Sequence, residues 1–96
     1  MTEIDNDFLK RADALISLAN SQMTDGLTAG DISASFMYGG ARFNAWIAST
    51  SFKTKEDMIQ EKEKVMAYFM EAYKKGLEEH INNHIENYDF TQNKSS

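Results

Sequence analysis

No proline interrupts the 96 residues. Proline is the residue that most reliably ends a helix, because it lacks the amide donor and its ring clashes with the preceding turn. A chain without it has nothing to stop long helices, and the apolar residues are spaced to form them. In the first stretch, Phe8, Ala12, Leu15, Ile16, Ala19 and Met23 recur at helical steps, with Leu9 and Leu18 widening the stripe. These steps put the six on one face of a 3.6-residue helix over about 5–23. Asp5 or Asn6 is placed to cap it, and Thr24-Asp25-Gly26 to end it.

A second helix is expected over about 31–50, capped by Thr28 or Asp31. Ile32, Phe36, Gly39, Gly40, Phe43 and Ile47 share one face, and Ala34, Tyr38, Ala41, Ala45 and Ala48 the opposite one. Apolar or small residues on both faces mark a central, largely buried helix. Gly39 and Gly40 each cost about 1 kcal/mol against alanine inside a helix, a cost that close approach of another helix would offset.

The third stretch runs over about 54–88. Thr54-Lys55-Glu56-Asp57 resembles a capping box with aspartate in the usual glutamate position. Met58, Val65, Met66, Phe69, Met70, Tyr73, Leu77, Ile81, Ile85 and Tyr88 carry the stripe. One helix of this length would measure about 52 Å. A compact globule of this size is only roughly 30 Å across. The helix therefore either breaks near Gly76 or packs its far end on something else. Period-two alternation is absent, so the fold class expected is an all-α three-helix bundle with a long C-terminal helix. It is read as one domain over 1–90 with a disordered polar tail over 91–96.

Composition narrows the function. The chain has no cysteine, which removes disulfide scaffolds, thiol nucleophiles and thiolate metal sites. It carries 10 basic and 15 acidic side chains, net −5. Residues 1–27 carry two basic and five acidic groups, residues 28–53 two and one, and residues 54–96 six and nine. No segment offers the basic stripe that phosphate backbones or anionic lipid surfaces require, so neither nucleic acid nor membrane is expected as a partner. The start, Met-Thr-Glu-Ile-Asp-Asn-Asp, does not read as a signal peptide, and the longest uncharged run, Ile32 to Ala41, is too short to span a bilayer. A cytoplasmic location is expected.

Three constellations could carry chemistry. His80 and His84 stand four apart on one helical face, a spacing that can hold a divalent metal, with a third ligand to come from Glu86 or from a partner chain. The competing reading is two amphipathic side chains flanking the apolar stripe. Arg42 is the only charge between Ile32 and Phe52, with Tyr38 and Trp46 one turn either side. It reads either as a structural cluster, with aromatic cover and a carboxylate partner, or as an anion pocket with Asn44 and Trp46. Gly39-Gly40 does not follow a strand and has no lysine after it, so it is not a phosphate loop. The serines lack a nucleophile-elbow context. The methionines sit at helical spacing, where they are core or adaptable contact residues.

Leu18-Ala19-Asn20, Ala41-Arg42-Phe43-Asn44-Ala45-Trp46 and Ile85-Glu86-Asn87-Tyr88-Asp89 resemble a family of short bacterial helical proteins of unknown function. The resemblance spans about Phe8 to Asp89. It implies an all-helical domain and favours helix through Gly39-Gly40. It carries no activity, cofactor or catalytic residue with it.

The expectation is a non-enzymatic module, without cofactor, that self-associates or binds a protein partner. A twofold dimer is the expected form, with Ala41, Ala45, Leu77, Ile81, Ile85 and Tyr88 at the interface. The alternative is a small metal- or anion-binding protein using His80 and His84 or Arg42.

Overall fold

The computed structural model describes residues 6–92. Three α-helices follow in order: α1 (Asn6–Ser21), α2 (Ala29–Ser49) and α3 (Lys55–Asn87), with a short 3-10 turn at Phe90–Gln92. The described residues contain no strand. The fold is all-α. Contacts group the chain into two compact units, Met1–Ile47 and Ala48–Ser96.

In the first unit, α1 ends two residues before the expected stop. The Ser21 hydroxyl donates to the Leu18 carbonyl at 2.6 Å, and the Gln22 and Met23 amides tighten onto Ala19 and Asn20. These three-residue bonds close the helix, because a side chain that bonds the backbone competes with the helical ladder. The Leu27 amide then donates to the Thr24 carbonyl across a turn whose third residue, Gly26, has φ +90°. Only glycine takes that conformation without strain. The expected cap at Asp5 lies outside the described residues.

Both cap candidates of α2 are used, and reciprocally. The Asp31 amide donates to the Thr28 hydroxyl at 3.1 Å, while the Thr28 amide donates to the Asp31 carboxylate at 2.9 Å. This is a full capping box, so α2 starts at Ala29 rather than at Asp31. The helix runs unbroken through Gly39 and Gly40. A Cβ added at either glycine would meet nothing within 4 Å, so within the first unit the close helix approach expected there is not formed. Ile32 is buried. On α1, Phe8, Ala12 and Ala19 are half-buried on a single face.

In the second unit, Thr54 caps α3 from an extended conformation, φ −133° and ψ 156°, and accepts from the Asp57 amide at 3.0 Å. The helix then continues for 33 residues, about 50 Å. It does not break at Gly76. It stops at Tyr88, whose amide donates to the His84 carbonyl and whose ψ of 140° turns the chain out of the helix. The Asp89 carboxylate accepts from the Thr91 amide and starts the 3-10 turn. That turn takes in Thr91 and Gln92 of the expected tail; residues 93–96 lie outside the described residues.

Candidate functional site

The surface of α3 carries two apolar stripes, not the single one that periodicity suggests. At 100° per residue, Met58, Val65, Phe69 and Gly76 share one line along the helix, and all four are half-buried. A second line lies about 100° around the axis. It holds Ile59, Met66, Met70, Tyr73, Leu77 and Ile81, which are 64%, 46%, 65%, 59%, 46% and 48% exposed. The second line extends toward Tyr88, and Ile85, 65% exposed, lies at its edge. The sequence signal for this division was present in the steps of four, three and four from Met66 to Leu77. A merged list of apolar positions hides it, and leaves out Ile59.

From Ile59 to Tyr88 the exposed stripe is about 44 Å long. With a helix about 10 Å wide, it covers on the order of 400 Å². Soluble monomers rarely expose contiguous apolar patches beyond a few hundred Å² unless the patch binds something. The expected interface residues Leu77, Ile81, Ile85 and Tyr88 all belong to this surface or its margin. Ala41 and Ala45, also exposed, belong to α2.

The histidine pair behaves differently. His80, with Glu79, Asn82, Asn83 and Glu86, lines an open surface depression. The His84 ring sits edge-on to the Tyr88 ring, with centroids 5.9 Å apart, and Tyr88 in turn meets Phe90 at 5.1 Å. Among the described residues no group of three His, Cys, Asp or Glu side chains is placed to hold a metal.

Around Arg42 the structure makes half of the expected cluster. The guanidinium lies over the Tyr38 ring at 5.1 Å. Trp46 pairs instead with Phe43, ring centroids 6.0 Å apart and tilted by 44°. No ion pair of Arg42 is formed among the described residues. The reason is exposure: Tyr38 is 67% and Trp46 61% exposed, so the guanidinium keeps its water and needs no carboxylate.

These features define a small all-helical protein with a long row of exposed apolar side chains on α3. Residues 8–85 match the family model described as a protein of unknown function, DUF3144, and the chain belongs to that family. It is also similar to the NMR structure of the protein NB7890A from a Shewanella species. The two share 42% identity over 99% of this chain and 100% of that one, with a TM-score of 0.78. No curated protein matches the sequence. No helix among the described residues is long and apolar enough to cross a membrane.

Proposed function

We propose that this protein is a non-enzymatic helical module that acts by self-association in the cytoplasm, a second copy covering the exposed stripe of α3. The observation that carries the reading is the row of large apolar side chains from Ile59 to Ile81, each between 46% and 65% exposed on one line of an unbroken helix. Water around such side chains is released when a second apolar surface meets them, at about 25 cal/mol for each Å² covered. Two such stripes face to face bury on the order of 800 Å² before flanking side chains are counted, close to the roughly 1,000 Å² that separates specific interfaces from incidental ones. On α2, within the first unit, Ala41 and Ala45 are also exposed and make a small-sided face of their own. The side chains that could serve chemistry, His80, His84 and Arg42, are all exposed rather than set into a closed site, which supports the non-enzymatic reading. An intracellular setting accords with a chain free of cysteine.

Size exclusion coupled to light scattering tests the reading. The expected result at high micromolar concentration is about twice the 10.9 kDa chain mass. A mass of one chain under those conditions rejects it.

A further inference from the structure

We draw no further inference here: the strongest candidate, the exposed apolar stripe of α3 from Ile59 to Ile81, carries nothing beyond the reading above, because nothing in the structure shows what covers it.

Discussion

α2 and α3 both start at a capping threonine, and both are apolar on two sides, yet they arrange those sides differently. On α2 the two faces stand opposite each other. Ile32, Phe36, Phe43 and Ile47 fill one, and the small residues Ala34, Ala41, Ala45 and Ala48 the other. On α3 the stripes lie about 100° apart, and both are built from large side chains. Opposite faces let a helix be covered from two sides, with the alanine side admitting close approach. Adjacent stripes instead make one broad apolar surface, wider than a single neighbouring helix covers through ridge-and-groove packing. The difference lies in pattern and not in burial: on α2 only Ile32 is buried, while Phe36, Phe43 and Ile47 are 44%, 60% and 42% exposed, about as open as the second stripe of α3.

The largest expected effect breaks the comparison at α3. In a twofold dimer Ile81→Glu removes two buried isoleucines, on the order of 3–6 kcal/mol of association. The dissociation constant should rise by more than about a hundredfold, and the light-scattering mass should fall to one chain. Ala45→Glu on α2 removes far less apolar surface and should weaken association by less than about tenfold. Equal losses from the two variants would erase the distinction between the helices.

Next comes the covered stripe. Phe69 is half-buried and its ring meets Tyr68 at 5.2 Å. Phe69→Ala should cost about 2 kcal/mol, below the full range for a completely buried phenylalanine. The loss, read from urea unfolding, should not depend on protein concentration. A loss that grows on dilution would place Phe69 in the association surface and merge the two stripes of α3.

The two threonine caps give a smaller and more discriminating contrast. Thr54→Ala removes one hydroxyl acceptor, that of the Asp57 amide, and should cost about 1 kcal/mol. Thr28→Ala removes the acceptor of the Asp31 amide from a box that closes in both directions, and should cost at least as much, up to about 2 kcal/mol. Thermal unfolding of the two variants checks the order.

Gly76 sharpens the account of α3 in the stabilising direction. It lies on the half-buried stripe, and a Cβ there meets nothing within 4 Å. Gly76→Ala should therefore raise stability by about 0.5–1 kcal/mol through helix propensity. A destabilised variant would show that a second chain approaches the backbone at that point.

The existence and order of the helices were legible because periodicity, caps and the lack of proline agreed. Thr28, Asp31 and Thr54 named their own positions, since capping chemistry is local. The early end of α1 was less legible: the Ser21 bond to Leu18 competes with the ladder in a way that composition does not announce. The site was only partly legible. Leu77, Ile81, Ile85 and Tyr88 stood out as apolar residues beyond Gly76, but the division of α3 into two stripes depends on which residues the fold covers. Burial is a tertiary property. The same holds for Arg42, whose surroundings in sequence are apolar although its surroundings in the fold are wet.

Arg42 supplies the smallest expected effect. Read from its neighbours in sequence, it is a shielded cation whose loss would strand a buried carboxylate, on the order of 1–4 kcal/mol. The structure leaves Tyr38 67% exposed beneath it and forms no ion pair with it among the described residues. What remains is a cation–ring contact at 5.1 Å on a solvated surface, worth about 0.5–1 kcal/mol. Arginine and methionine have nearly equal helix propensity, so Arg42→Met changes little else in α2. Arg42→Met should then shift the unfolding free energy by no more than about 1 kcal/mol, equal to the shift of Tyr38→Ala beyond its lost area in a double-mutant cycle. A loss of several kcal/mol would mean that a carboxylate reaches Arg42 in solution, and would make α2 the helix with the more demanding surface.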